Sequence, residues 1–377
     1  MDSVDLPKPT LITRPQVLRK LTDTLAQESI LAVDTESNSL FAYRERVCLI
    51  QFSLAKKDYL VDPLAIDDLS PLASIFANDR IEKIFHAAEY DIITLKRDFG
   101  FSFENLFDTM LAARILGWDE VGLGSILKKE FGVQLNKRFQ RANWGKRPIQ
   151  ADMLAYAQLD THYLIPLRNR LRRELKAKGR WTLAVEDFRR LRYVNGREPA
   201  NGRETCWRIK GSHDLSPQHA AVLKELCAYR EQVAQSINRP LFKVIGDQTL
   251  YAIACDCPDD LGALSQLPGM SLKQVRRHGK ALLEAVQRGL RADPVTPPRH
   301  HRPSERYLAR FEALRSWRKV VAHEMGVSSD VVMPRDLLNE IATQNPKRET
   351  DLANVMEQVP WRMENFGDEI LGVLDRT

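Results

Sequence analysis

From residue 29 to residue 62 the chain alternates short apolar runs with brief polar breaks. "ILAVDTE", "RVCLIQFSL" and "KKDYLVD" are rich in the β-branched and aromatic residues of strands. The short breaks between them predict antiparallel neighbours. The period then changes. "KIFHAAEYDIITLKRDFG" starts apolar, takes helical spacing through Tyr90, Ile93 and Leu95, and stops at Gly100. "NLFDTMLAARILG" predicts a short strand with a helix, and "GLGSILKKEFG" a further helix. "QADMLAYAQLDTHYLIPLRNRLRREL" is helical in period, with Pro166 predicting a kink or a break. Strands first and helices after predict a mixed α/β layer domain over residues 1–205.

Beyond residue 206 the strand signal stops. Residues 206–293 read as several short helices, residues 294–305 as a linker rich in Pro and basic residues, and residues 306–377 as helices again. The two helical regions match at an offset of 88 positions. Leu226 meets Leu314, Arg230 meets Arg318, Val233 meets Val321 and Ala234 meets Ala322. Further on, Leu250 meets Leu338, Ile253 meets Ile341, Ala254 meets Ala342 and Pro258 meets Pro346. Matched apolar residues at helical intervals predict one helical domain that occurs twice.

Length and composition narrow the class. A chain of 377 residues predicts two or three domains. No apolar run reaches the roughly 18 residues of a membrane span. "MDSVDLPKPT" lacks the basic-then-apolar pattern of a secretory signal. Five cysteines, an odd number in a chain without that signal, fit reduced thiols and a cytoplasmic location. Cys255 and Cys257 have no second Cys or His pair at zinc-finger spacing, which argues against zinc. Charge adds a partner class. Residues 168–210 hold fourteen Lys or Arg against five Asp or Glu, in a chain whose net charge is +6. That local excess fits either a polyanion-binding surface or a solvated basic helix face.

Candidate chemistry begins with Asp34 and Glu36. Residues two apart in a strand share a face, so both carboxylates aim at one spot. Buried without partners, each costs several kcal/mol, and a cation between them removes that cost. Carboxylate oxygens are hard ligands that suit Mg²⁺ or Mn²⁺. Asp91 lies on the helix of "HAAEYDIITL", and Asp160 follows Tyr156 by one helical turn in "AYAQLDTHYL", on the same face. Four carboxylates and a tyrosine converging on one strand end suggest a two-metal site for phosphodiester hydrolysis. Tyr156, neutral at pH 7, is suited to aim the attacking water.

These segments carry a resemblance. "VDTES", "HAAEYD" and "YAQLD" resemble the three motifs of the DEDD exonucleases, in the subgroup with tyrosine in its third motif. The histidine subgroup places its residue five before the last Asp, which here is Ala155. "LFDTMLAARILG" and "ANWGKRPI" are also similar to family segments, and the two helical repeats resemble HRDC domains. One exonuclease domain followed by two HRDC-like domains resembles the bacterial ribonuclease D family over nearly the whole chain. Two departures touch substrate contacts: "SNSLFAYRERVCLIQ" after the first motif is longer and more polar than in some relatives, and "ANW" replaces an expected "SDW".

The resemblance implies a ribonuclease H-like mixed sheet with flanking helices, followed by two all-α domains. It implies a 3′–5′ exoribonuclease that trims tRNA precursors and other small structured RNAs and releases nucleoside 5′-monophosphates. Asp34, Glu36, Asp91 and Asp160 would bind two Mg²⁺ or Mn²⁺ ions, Asp34 would bridge them, and Tyr156 would position the water. RNA is the implied partner, with no membrane and no obligate protein partner. Substrate contacts are expected among Leu40, Phe41, His86, Lys137, Trp144 and Arg147. Leu40 or Phe41 either wedges under the last base or packs inward, and Trp144 lies either on the RNA path or in the core. Two other readings stay open: a DNA 3′–5′ exonuclease with the same catalytic set, and a non-catalytic nucleic-acid-binding scaffold. No G-x-x-x-x-G-K-[ST] phosphate loop is present, so the chain is not itself a P-loop helicase.

Overall fold

The structure, a computed structural model, describes residues 6–195, 206–298 and 303–377. Parts of the expected linker and of the basic stretch, residues 299–302 and 196–205, lie outside the described residues.

The N-terminal half builds one six-stranded sheet from β1 (Thr10–Ile12), β2 (Ile30–Ser37), β3 (Val47–Ser53), β4 (Asp58–Val61), β5 (Glu82–Phe85) and β6 (Leu106–Asp108). Their spatial order is β1-β4-β3-β2-β5-β6. The expected antiparallel neighbours are present: β2 pairs with β3, and β3 with β4. The pairs β2–β5, β5–β6 and β1–β4 are parallel, which makes the sheet mixed. Helices follow in order. They are α1 (Pro15–Leu25), α2 (Ala73–Phe76), α3 (Glu89–Phe99), α4 (Thr109–Leu116), α5 (Leu123–Phe131), α6 (Ala151–His162), α7 (Leu164–Ala177) and α8 (Trp181–Arg190). Gly100 ends α3 in the left-handed conformation at φ 69°, which a side chain disfavours. The long helical run breaks at Tyr163, and Pro166 sits in the first turn of α7, where no amide donor is needed.

The register of β2 makes room for a site. Its ladder with β5 ends at Ala32 opposite Ile84, while its ladder with β3 runs on through Asp34, Thr35 and Glu36. One edge of the strand end is therefore open. The chain leaving β5 turns there and starts α3, which carries Asp91 in its first turn. From the other direction α6 packs on β2, β3 and β4 and buries Tyr156 and Asp160.

The C-terminal half holds α9 (Pro217–Ser236), α10 (Leu241–Val244), α11 (Asp247–Asp256), α12 (Leu261–Ser265) and α13 (Leu272–Arg291). These are followed by α14 (Glu305–Met325), α15 (Ser329–Val332), α16 (Arg335–Gln344), α17 (Glu349–Val355) and α18 (Pro360–Asp375). The 88-residue offset of the sequence holds in the geometry. Ser216 and Ser304 each cap their helix by accepting from the amide three residues on. Arg230 Nη1 donates to Ile245 O at 3.1 Å, and Arg318 Nη1 to Met333 O at 2.8 Å. Cys257 and Asn345 end α11 and α16 in the left-handed region.

The described residues fall into two compact units. One joins the sheet domain, apart from Asn38–Arg46, to the segment from Pro303 onward; the other joins Asn38–Arg46 to the first helical repeat. In the first unit the buried Arg362 of α18 pairs with Glu186 and Asp187 of α8. Arg114 pairs with Asp330, and Arg190 with Asp336.

The basic stretch turns out to be largely occupied. Arg168 pairs with Glu82, Arg170 with Glu130 and Glu174, and Arg192 with Glu104. Lys178 donates to Leu116 O, Arg180 to Ile115 O and Met325 O, while Arg172 and Lys176 stand over the Trp181 ring. Among the described residues, most cations of this stretch are spent on holding the fold.

Candidate active site

Carboxylate oxygens of Asp34, Glu36 and Asp160 lie within 4.8 Å of one another. The period-two placement of the first two on β2 and the arrival of α6 bring this about. Asp91 is buried beside them and accepts from the hydroxyl of Thr35.

Burial raises the pKa of all four acids, and their mutual repulsion raises those of Asp34, Glu36 and Asp160 further. Asp34 is pushed well up by burial and by Asp91, Asp160 and Glu36. Glu36 is raised by burial, Asp160 and Asp91. Burial lifts Asp91 to about 7 against the opposing Thr35 hydrogen bond, and Asp160 to about 8 against a hydrogen bond from Tyr156. Such a set of converging hard oxygen donors fits a divalent cation, whose charge would reverse the penalty. Tyr156 is pushed upward by burial and by Asp160, Glu36 and Asp34, so its phenol keeps its proton.

The turn between β5 and α3 is held by a residue that the sequence reading missed. Asp108 accepts from the amides of Ala87 at 3.2 Å and Ala88 at 2.7 Å, and it also caps α4 through Met110 and Leu111. These bonds hold Ala87 at φ 63°, a conformation costly for any residue with a Cβ. Thr35 was missed because it faces its partner across 56 residues of sequence. Gln51, opposite Asp34 in the ladder and fully buried, has neither amide atom bonded to protein. A "DTM" at a strand-to-helix junction was the available signal for Asp108.

A cavity of about 850 Å³ opens over the acids. Asp34, Glu36, Tyr156 and Asp160 line it, and so do His86 and Lys137 from the expected substrate contacts. Lys128, Gln134 and Gln140 line it too. His86 Nδ1 lies 2.9 Å from Thr109 Oγ1, and burial lowers its pKa against the pull of Asp108, so the ring is neutral. Two expected contacts are spent on the fold instead. Trp144 is buried, its ring centroid 6.2 Å from that of Tyr156. Arg147 forms a two-bond pair with Asp62 and donates to the carbonyls of Trp144, Lys146 and Cys48. Leu40 and Phe41 fall in the second unit, where Lys243 Nζ stands 4.2 Å from the Phe41 ring centroid.

Comparison with known proteins places this geometry. Residues 9–176 match the family model for 3′–5′ exonucleases, and residues 219–286 and 307–374 each match that of the HRDC domain. A ribonuclease D of Nitrobacter hamburgensis is 30% identical over 371 residues, covering 96% of this chain and 94% of that protein. The chain belongs to the ribonuclease D family. A second member, from Pseudomonas paraeruginosa, is 29% identical over 92% of each chain. The crystal structure of Escherichia coli RNase D, described as an exoribonuclease involved in structured RNA processing, superposes with a TM-score of 0.71. It is 25% identical and the match covers 98% of this chain and 99% of that one. As a ribonuclease D family member, the chain is a 3′–5′ exoribonuclease whose fold joins a mixed-sheet exonuclease domain to helical HRDC domains. Divalent metal is the cofactor of this exonuclease family. No helix among the described residues is long and apolar enough to cross a membrane.

Proposed function

We propose that the protein trims the 3′ ends of tRNA precursors and other small structured RNAs in the cytoplasm, one nucleoside 5′-monophosphate at a time. Asp34, Glu36 and Asp160, with Asp91 beside them, are the acids that would hold two Mg²⁺ or Mn²⁺ ions. The convergence of three carboxylate oxygens within 4.8 Å is the observation that carries this reading. When bound, the ions supply positive charge that acidifies a water and offsets the charge on the scissile phosphate.

The chain's own residues do the rest. Tyr156 keeps its phenolic proton, so it orients the attacking water and does not deprotonate it. Packing against the rings of Phe139 and Trp144 holds the Tyr156 ring in place. Lys137, on the cavity wall, supplies a cation for phosphate. His86, neutral and anchored to Thr109, offers a ring nitrogen to the terminal nucleotide.

The deciding experiment is digestion of a 3′-extended tRNA with Mg²⁺ or Mn²⁺, with product ends mapped, beside a matched DNA oligomer. Stepwise loss of 5′-monophosphates from the RNA end is expected. Faster loss of DNA would reject RNA as the preferred substrate. Asp34→Asn is expected to abolish nearly all hydrolysis and leave RNA binding largely intact; persistence of activity would remove Asp34 from the ligand set.

A further inference from the structure

The 88-residue offset lets the two helical repeats be compared side chain by side chain. In the first repeat Lys273, Arg276, Arg277 and Lys280 of α13 are all exposed. At about 100° per residue they fall within one arc of about 100° over two turns. None of the four side chains forms an ion pair or hydrogen bond with a described residue. Leu272 begins the helix 76% exposed, and with Lys273, Arg276 and Arg277 it lines a surface depression of about 640 Å³.

The corresponding residues of α18 are Trp361, Glu364, Asn365 and Asp368. The pattern of burial is otherwise matched: His278 and Gly279 are buried, as are Phe366 and Gly367. Four cationic positions in one repeat are thus aromatic, acidic or amide in the other. The start of α18 has another task, since the Trp361 amide donates to Glu186 at 2.7 Å and Arg362 pairs with Glu186 and Asp187. Like charges three and four residues apart each cost a helix a few tenths of a kcal/mol. On α13 no acid among the described residues neutralises that repulsion by a direct pair, so the face is built for an external polyanion.

We propose that this face of α13 docks the phosphate backbone of the RNA substrate, and that the second repeat has given up RNA docking at the same face and seats the C-terminal segment on the exonuclease domain. The inference rests on the exoribonuclease reading and adds where the RNA body is held. Phosphate contacts of this kind position a strand without reading its sequence, and they weaken steeply with salt.

The test uses the full chain. Two variants alter the first repeat: K273Q/R276Q/R277Q/K280Q, and R276E/K280D, which carries at both positions the acids found in the second repeat. Binding of a fluorescent 3′-extended tRNA is titrated without divalent ions at several salt concentrations, and hydrolysis of a dinucleotide is followed separately with Mg²⁺. The quadruple variant is expected to weaken tRNA binding at least tenfold and to flatten the slope of log affinity against log salt by about 3, at 0.7–0.9 per lost phosphate contact. R276E/K280D should weaken binding similarly, and dinucleotide hydrolysis should stay within twofold of the parent for both. An unchanged salt slope overturns the proposal, including the case in which the face serves an acidic protein. The control E364Q/D368N should leave the slope unchanged; if it shifts tRNA binding as much as the α13 variants, the division between repeats is wrong. Failure of the parent to digest any RNA would reject the exoribonuclease reading, and the binding slope would still be read independently.

Discussion

Thr35 stands between Asp34 and Glu36 in β2, and its hydroxyl donates to Oδ1 of Asp91. One residue of the first motif thus fixes the acid of the second. Thr35→Val keeps the shape and removes the donor. Asp91 then loses a bond that favours its charged form, so the apparent affinity for divalent metal should fall. A decrease of about 10–100-fold in metal affinity or in kcat is expected, the range typical of groups that orient metal ligands. The KM for RNA at saturating metal should change little. A metal titration of hydrolysis decides, and an unshifted midpoint with unchanged kcat would show the bond to be incidental.

Asp108 ties the turn before Asp91 to the start of α4 through four amides. Asp108→Asn keeps one acceptor oxygen but turns an amide NH₂ toward N–H donors. A loss of about 2–4 kcal/mol is expected from the cap and the charge-assisted bonds together. Activity should fall as well, because α3 loses its anchor. Ala87→Gly, at the left-handed position, should be neutral or stabilise by up to about 1 kcal/mol. Denaturant melts of both variants check this; a destabilising Ala87→Gly would mean that the methyl packing outweighs the backbone cost.

Much of the site could be read from spacing because its parts are periodic. Asp34 and Glu36 share a strand face, Tyr156 and Asp160 share a helix face, and Gly100 marks the end of α3. The repeat was visible because Leu250, Ile253 and Ala254 recur as Leu338, Ile341 and Ala342. Partnerships between distant residues were not visible. Nothing local announces that Arg147 is held by Asp62, or that Thr35 reaches Asp91. Charge stayed ambiguous for the same reason: the arginines of α7 and α8 look free in sequence, but acids on β5, α5 and α16 take up three of them.

Arg362 is fully buried, and its guanidinium is bound by Glu186, Asp187 and the carbonyls of Val331 and Val332. Arg362→Ala should destabilise the C-terminal segment by about 3–5 kcal/mol, because the buried Glu186 and the partly buried Asp187 lose their cation. Burial already holds Glu186 above the usual carboxylate range, against the pull of Arg362. Arg362→Met combined with Glu186→Gln and Asp187→Asn should recover at least half of that loss. Hydrogen exchange in α18 reports it directly. Equal exchange in the single and triple variants would show that the cost is lost packing and not stranded charge.

Lys83 offers a pH test away from the catalytic acids. It lies fully buried in β5 with Nζ donating to Asn78 O at 2.6 Å, and burial lowers its pKa from 10.5 to about 8. Below pH 8 both the folded and the unfolded chain hold the proton, and the fold bears the full cost of the buried charge. Between about 8 and 10.5 the unfolded chain binds more protons than the folded one, so stability rises with pH through that window. At about 1.4 kcal/mol per unit the rise is roughly 3 kcal/mol. Lys83→Met removes the charge. It should stabilise the protein at pH 7 by an amount of that order, reduced by the lost hydrogen bond, and the advantage over the parent should shrink toward pH 10.5. Paired urea melts at pH 7 and pH 10 subtract the contribution of every other group. A Lys83→Met variant less stable than the parent at both values would show that the ammonium, held near Glu104, Asp79 and Glu82, is a net contributor to the fold.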